Sequence, residues 1–160
     1  MNHDAYDNGF LRQILSRVHT IAVVGASLRD DRPSHWVTGF LLGKGYRVFP
    51  VNPAAAGRHI LGQPVYESLA AVPEPIDLVD VFRKADAFSG VVDEVLALPH
   101  RPLAIWGQLG VRDDAAAARA EAAGIAIVMN RALVAEYRLV YEAQHPAAHH
   151  GTEQFTQPAS

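Results

Sequence analysis

The residues of this chain that are best suited to chemistry lie in a loop after a short apolar run. The run is Thr20-Ile21-Ala22-Val23-Val24, and it is followed by Gly25, Ala26 and Ser27 and then by Arg29, Arg32 and Ser34. Free backbone N–H groups near a helix start and guanidinium groups are what proteins use to bind phosphate. The sequence therefore predicts that this loop holds a phosphate-bearing ligand.

Each of these residues also has a plainer explanation. Gly25 could be needed only for the turn, and Arg29 and Arg32 flank Asp30 and Asp31, so these charges could neutralise one another in a solvated loop. If Gly25 does admit a phosphate, Gly25→Val should leave the fold mostly intact and block the ligand, because the new side chain would occupy the phosphate's space.

Polar segments also follow four further apolar runs. They are Asn52-Pro53, Phe82-Arg83-Lys84, Gly107-Gln108-Leu109-Gly110 and Asn130-Arg131. Ligands of an open parallel sheet bind outside the carboxyl ends of its strands, where the strand order reverses, so we expect these segments to share one rim. Phe82 could face an adenine ring there or pack in the core, whereas Trp106 is expected to pack.

The sequence lacks the patterns of several common sites. Its eight histidines show no HxxxH or HExxH spacing on a predicted helix and it has no cysteine, so we predict no metal site. No nucleophile elbow is present, and we predict no catalytic residue. The glycine pattern of NAD enzymes is incomplete, since Ser27 and Asp30 occupy its later positions, and the second strand ends in Asn52 rather than an acid.

The predicted elements that must position these residues alternate between buried strands and helices. Strands are predicted at 20–24, 46–51, 77–82, 103–106 and 125–129, and helices near 10–18, 34–42, 85–98, 113–123 and 131–142. The predicted fold class is α/β, a three-layer, doubly wound, Rossmann-like sheet of five mostly parallel strands with helices on both faces. We expect one domain over residues 1–145 and a polar, disordered tail over 146–160.

Three local expectations accompany this assignment. Ser34 is a suitable N-cap for the second helix, and residues 1–8 are polar and expected to fray. Leu78, Asp80 and Phe82 alternate with Val79 and Val81, so Asp80 is expected to face away from the deepest core.

Composition excludes several classes of partner. The net charge is −3, which offers no overall attraction to nucleic acid or to an anionic membrane. No apolar run approaches the roughly 20 residues of a membrane helix, and the polar start has no signal-peptide core. With no cysteine, the chain is predicted to be cytoplasmic.

The pieces at successive strand ends together resemble the stand-alone CoA-binding domain family, over about residues 10–142. The resemblance lies in Val24-Gly25-Ala26-Ser27, Arg32-Pro33-Ser34, 46–53, Ile60-Leu61-Gly62, Val79-Asp80-Val81-Phe82-Arg83, 106–110 and Met129-Asn130-Arg131. That family is similar to the N-terminal domain of the succinyl-CoA synthetase alpha subunit.

The resemblance implies a Rossmann-like domain that binds coenzyme A or an acyl-CoA. It assigns the pyrophosphate to Gly25, Ala26, Ser27 and Ser34, the adenosine end to Asn52 and Pro53, the adenine or pantetheine path to Val81, Phe82 and Arg83, and closure of the pocket to Gln108, Gly110, Asn130 and Arg131. Two positions depart from the family. Ala54 replaces a common Lys that anchors the ribose 3′-phosphate, so that Arg29, Arg32 or Arg58 would have to take its place, and Ala132 replaces a common Cys.

The expected function is binding of this small-molecule nucleotide without catalysis, because the synthetase that shares the fold needs a second domain with a phosphorylated histidine. Two alternatives remain at this point. One is a small NAD(P)-binding sensor or reductase. The other is an interaction module that a nucleotide regulates, and an apolar patch near Leu139, Val140 and Tyr141 would then form a homodimer.

Overall fold

A parallel sheet of five strands forms the centre of the computed structural model, which describes residues 1–142 and their side chains as far as residue 140. The described residues form seven strands in all, of which five belong to this sheet. They are β1 (Thr20–Val24), β2 (Arg47–Val51), β3 (His59–Ile60), β4 (Gln63–Pro64), β5 (Leu78–Val81), β6 (Ala104–Gly107) and β7 (Ala126–Val128). The sheet order is β2-β1-β5-β6-β7, and β3 and β4 pair separately as a small antiparallel hairpin.

Helices cover both faces of the sheet. They are α1 (Asn8–Arg17), α2 (Pro33–Gly43), α3 (Ala85–Leu96), α4 (Asp114–Ala122) and α5 (Leu133–Tyr137), which continues as a π-helical turn over Arg138–Glu142. One core cluster joins α1, α2 and α5 to the sheet, and a second joins α3 and α4 to its other face. The doubly wound, three-layer α/β prediction is therefore confirmed.

The sequence order of the strands reverses between β1 and β5. The chain leaves β1 through α2 toward β2 on one side, whereas β5 leads through α3 toward β6 on the other side. The two connections diverge and leave a crevice at the carboxyl ends of these neighbouring strands, where ligands of such sheets bind. The fold thus brings the loop after Val24 and the segment after Val81 together, because Val24 and Val81 are register partners.

The expectation for Asp80 was wrong. The side chain is completely buried, on the same face of the sheet as Leu78, and its register partners are Val23 and Trp106. Alternation along β5 could not decide burial, because helices cover both faces and every residue of the strand is buried. Trp106 is packed in the core as predicted.

The N-terminal segment is docked onto the sheet rather than frayed. His3 is only 4% exposed, and the Tyr6 hydroxyl accepts a hydrogen bond of 2.9 Å from the buried backbone N–H of Met129. The guanidinium of Arg131 lies 4.9 Å from the centre of the Tyr6 ring and donates to the carbonyl of Asp4. The polar sequence of this segment concealed these contacts, which depend on residues more than a hundred positions away.

The predicted cap of α2 was also misplaced. The helix begins at Pro33, so that Arg32 is the N-cap residue and provides no side-chain cap. Proline suits the first helical position, because its missing N–H would have had no partner there in any case. Ser34 is instead buried in the first turn, and its carbonyl accepts a hydrogen bond from the Thr38 hydroxyl at 2.7 Å.

Within the part of the chain that the structure describes, two kinds of feature are absent. No helix there is both long and apolar enough to cross a membrane. Nor does this part hold a group of three or more His, Asp or Glu side chains that could bind a metal ion. The predicted tail over residues 146–160 lies outside the described residues.

Candidate functional site

A cavity of about 900 Å³ opens at the strand-order reversal, beside the carboxyl ends of β1, β5 and β6. Ten residues predicted from the sequence line it: Gly25, Ala26, Ser27, Arg32, Ser34, Asn52, Phe82, Arg83, Gln108 and Gly110. Segments separated by up to about eighty positions along the chain therefore meet in one place. The prediction of a shared rim is the part of the sequence interpretation that the geometry follows most closely.

A second cavity, of about 610 Å³, lies on the β2 side of the first. The two cavities share Gly25, Asn52, Phe82, Arg83 and Lys84. Pro53 and Ala54 line only the second cavity, together with the acidic side chains Glu67, Asp86 and Glu94. The site is thus a pair of adjoining cavities, and one of them carries acidic groups.

The structure does not bring Val81, Asn130 and Arg131 to the lining of either cavity. Val81 is fully buried against the helices of the opposite face. Asn130 acts one step away, because its side-chain oxygen accepts a 2.8 Å hydrogen bond from the backbone N–H of Gly110. Arg131 turns toward the N-terminal segment and donates to the Asp4 carbonyl, so its guanidinium is engaged elsewhere.

Gly25 is required by the sheet itself. Its φ of +87° is one that L side chains rarely adopt, and an added Cβ would lie 3.2 Å from the carbonyl carbon and oxygen of Phe82. We therefore now expect Gly25→Val to strain the fold as well as to block the ligand, because its Cβ would press on the Phe82 backbone just after β5.

Fewer backbone N–H groups of this loop are free to bind a phosphate than the sequence suggested. The backbone N–H groups of Gly25 and Ala26 both donate to the carbonyl of Val51, at 3.0 and 3.3 Å, and so fasten the loop to β2. Within residues 1–142, the N–H groups of Ser27 and Ser34 have no protein acceptor. These two donors, one in the loop and one in the first turn of α2, are backbone groups that an anion in the cavity can use.

Asn52 holds this arrangement together. Its side-chain nitrogen donates to the Ala26 carbonyl at 2.8 Å, and its side-chain oxygen accepts from the Ala54 N–H at 2.9 Å. Both ends of the amide are thus engaged with the protein. An acid at this strand end would bind ribose hydroxyls, whereas Asn52 ties the β1 loop to the turn after β2.

Gln108 connects the first cavity to the core beneath it. Its side-chain nitrogen donates to Asp80 Oδ1 at 2.5 Å, and the side chain is only 8% exposed. Burial raises the pKa of the Asp80 carboxyl to about 7, and the hydrogen bond from Gln108 acts in the opposite direction. The second oxygen of Asp80 has no hydrogen-bond partner.

Among the described residues, the charged side chains that line the first cavity are all cationic. They are Arg29, Arg32, Arg83, Lys84 and Arg138. Arg29 pairs with the exposed Asp31 at 2.8 Å, which agrees with the alternative that charges of this loop neutralise one another. Arg32, Arg83 and Lys84, in contrast, form no ion pair with any described side chain. A ligand with several negative charges suits this cavity.

Sequence reasoning missed the contribution of α5 and of an exposed tryptophan. Ala132, Ala135 and Arg138 line the first cavity, and their spacing of three residues on a helix was the available signal. Trp36, which is 55% exposed, lines it from α2. Of the apolar patch proposed for a dimer, Leu139 is exposed but Val140 is fully buried, and the Tyr141 side chain lies outside the described residues.

Comparison with known proteins shows which family and which relatives this chain is similar to. A family model described as a CoA binding domain matches residues 19–138. The YneT protein of Bacillus subtilis strain 168 is 36% identical over 120 residues, which cover 75% of this chain and 86% of that protein. A solved structure from Thermus thermophilus shares 39% identity and a TM-score of 0.80, and the match covers 85% of this chain and all of the other.

A larger enzyme shares the fold. An acetyl-coenzyme A synthetase from Ca. Korarchaeum cryptofilum superposes with a TM-score of 0.58 at 22% identity, and the match covers 72% of this chain but 26% of that one. At this identity the likeness concerns the fold alone.

Proposed function

This chain belongs to the CoA-binding domain family, and on that premise we propose that it binds coenzyme A, or an acyl-CoA, across the two adjoining cavities. The observation that carries the proposal is the lining of the first cavity, whose charged side chains in the described part of the chain are all cations. Coenzyme A carries a pyrophosphate and a ribose 3′-phosphate, and arginine binds such groups with paired, charge-assisted hydrogen bonds.

The shape of the site suits a long ligand. The two cavities meet at Gly25 and Phe82, so a nucleotide can place its pyrophosphate at the junction and extend one end into each cavity. The N–H groups of Ser27 and Ser34 then serve the pyrophosphate. We assign the adenosine end to the second cavity, beside Asn52 and Pro53, and the pantetheine arm to the first.

Arg83 and Lys84 take the place of the missing lysine at Ala54 in this proposal. Both line both cavities, and neither has an ion-pair partner among the side chains of residues 1–140. Arg29 is engaged with Asp31, and Arg58 lines neither cavity. We therefore assign the ribose 3′-phosphate to Arg83 and Lys84.

We further propose that the protein binds this ligand without catalysis of its own. The described lining of the first cavity offers no carboxylate, imidazole or phenol, and the chain has no thiol. General acid–base catalysis mostly uses such a group within hydrogen-bond reach of the reacting atoms, and Lys84, the lysine of this lining, is assigned to the phosphate in this proposal. The buried Asp80 reaches the cavity only through Gln108.

Calorimetric titration with coenzyme A, dephospho-CoA and NADH tests the proposal. We expect coenzyme A to bind, dephospho-CoA to bind at least about tenfold more weakly because it lacks the 3′-phosphate, and NADH to give no heat. The absence of heat and of thermal stabilisation at millimolar coenzyme A would refute the proposal. Tighter binding of NADH than of coenzyme A would favour the sensor or reductase alternative.

A further inference from the structure

A carboxyl group lies in the core directly beneath the first cavity, and packing does not account for it. Asp80 is fully buried on β5 between Val23 and Trp106, with one hydrogen bond to Oδ1 and no partner for Oδ2. A buried polar atom without a partner lowers the stability of the fold, and an apolar side chain in this place would avoid that cost. We therefore expect the role of Asp80 to lie in the group to which it is hydrogen-bonded.

What Asp80 holds is the side-chain amide of Gln108, which lies between the core and the cavity. The amide nitrogen is engaged with Asp80 at 2.5 Å. The amide oxygen Oε1 accepts no hydrogen bond from any described residue. It is also not a buried atom, so a ligand can reach it. Since Gln108 lines the first cavity, this oxygen is the polar atom that it offers there.

We propose that Asp80 is a positioning residue that turns the Gln108 carbonyl oxygen into the cavity, where it selects a ligand offering an N–H donor. This inference rests on the proposed binding of coenzyme A, whose pantetheine arm carries amide N–H groups. The apolar surroundings would not select between the two ends of an amide, but a neighbouring carboxylate does, because it can only accept hydrogen bonds.

Protonation of Asp80 changes what Gln108 can offer. A neutral carboxyl can donate its proton to the Gln108 oxygen, which would turn the amide NH₂ group toward the cavity instead. The ionised form enforces the carbonyl-outward orientation. Burial places the pKa of Asp80 at about 7, so both forms are accessible near neutral pH. A ligand that needs an acceptor favours ionised Asp80, and its affinity should therefore rise as the pH rises through about 7.

Few other groups can produce this dependence. Val23 and Trp106 flank Asp80 on the sheet. The buried side chains of α1 are apolar, and those of α2 are apolar apart from Ser34 and Thr38, whose hydroxyls do not ionise in this pH range. Tyr46 and Tyr137 are the phenols of that cluster. The charged groups beyond Gln108 are Arg29, Arg32, Arg83, Lys84 and Arg138. Arginine and lysine do not ordinarily change charge between pH 5.5 and 8, so their attraction for an anion stays constant over that range.

The first test measures coenzyme A affinity by calorimetry at several pH values from about 5.5 to 8. The proteins are the full-length chain, Asp80→Asn and the control Asp93→Asn, which removes a surface carboxylate that pairs with Arg119. The 3′-phosphate titrates in all three proteins, so the comparison isolates Asp80. We expect affinity to rise about tenfold more in the parent protein and the control than in Asp80→Asn. Parallel curves for all three would overturn the inference.

The second test needs no ligand and separates the two proposals. The ¹⁵N and ¹H resonances of the Gln108 side-chain amide are followed over the same pH range in the free protein. We expect a transition with a midpoint near 7 in the parent protein and none in Asp80→Asn. Absence of the transition overturns the positioning role even if coenzyme A binds. A clear transition without coenzyme A binding at any pH overturns the proposed function, and with it the role assigned to Gln108.

Discussion

At the scale of single residues, Gly25 shows how one position serves the fold and the site together. Its left-handed backbone lets β1 turn into the cavity, and its missing side chain lets the Phe82 carbonyl lie against it. The junction between the two cavities therefore owes its shape to the same contact that closes the sheet at β1 and β5.

Gly25→Ala should destabilise the protein by about 2–4 kcal/mol, because backbone strain and a steric clash combine at this position. Gly57→Ala is the matched control, since Gly57 has a φ of +85° with no atom within 4 Å of an added Cβ. That variant should lose only the strain, about 1 kcal/mol. Urea denaturation measures both. Equal losses would show that the Phe82 contact relaxes freely.

Arg83 is the residue whose charge the proposed site uses most directly. Arg83→Glu should weaken coenzyme A binding by about tenfold to a hundredfold and make the remaining binding less sensitive to salt, because a charge that attracts phosphate becomes one that repels it. Titrations at low and high salt measure both effects. Arg101→Glu, with the same change of charge in the turn before β6 and outside both cavities, should leave affinity unchanged. An equal loss in that control would indicate a nonspecific charge effect.

At the scale of elements, the N-terminal segment and β7 stabilise each other. The Tyr6 hydroxyl accepts from the Met129 N–H, and the Tyr6 ring lies beside the Arg131 guanidinium. The segment thus covers the carboxyl end of β7, next to the Asn130 side chain that fixes Gly110. This explains why Asn130 and Arg131 support the site without lining it.

Tyr6→Phe should lower the free energy of unfolding by about 1–2 kcal/mol, because the Met129 N–H would be left without a partner in a buried place. The comparison variant is Tyr66→Phe, since the Tyr66 hydroxyl makes no hydrogen bond that the structure records while its ring packs against Phe49. Chemical denaturation should show little change there. A loss in Tyr66→Phe as large as in Tyr6→Phe would mean that the hydroxyl bond is not the cause.

The sequence predicted most strongly the elements whose signals are local. The apolar run at Thr20–Val24 ends at a glycine, and β1 has these bounds in the structure. Asp80 was misjudged because helices cover both faces of β5, and the docking of the N-terminal segment was missed because the Tyr6 hydroxyl contacts the distant Met129. Arg131 was assigned to the ligand on resemblance, and only the folded N-terminal segment shows where its guanidinium goes.

At the scale of the whole molecule, the charge of the first cavity is opposite in sign to the net charge of the chain. The chain carries a net charge of −3, yet the charged residues that line the first cavity among those described are all cations. A concentrated positive field in a cleft attracts anions even when the overall charge repels them. The net charge of the chain therefore gives no hint of this cationic cavity.

Stability of the whole protein should also depend on Asp80. The unfolded carboxyl titrates near 3.8 and the folded one near 7, so its contribution to stability is complete below about pH 4 and is lost as the pH rises through about 7. Relative to the parent protein, Asp80→Asn should gain about 1–3 kcal/mol between pH 4 and pH 8. Denaturation across this range measures the gain. A curve parallel to that of Asp93→Asn would contradict it.

The chain contains two tryptophans, and the fold has given them separate surroundings. Trp106 is wholly enclosed beside Asp80, whereas Trp36 is 55% exposed at the edge of the first cavity. The molecule therefore carries two intrinsic optical reporters. Emission from Trp36 should change when a ligand fills the cavity and vanish from the difference spectrum in Trp36→Phe, while emission from Trp106 should shift to longer wavelength on unfolding. Occupancy and folding can thus be followed in one cuvette without a label.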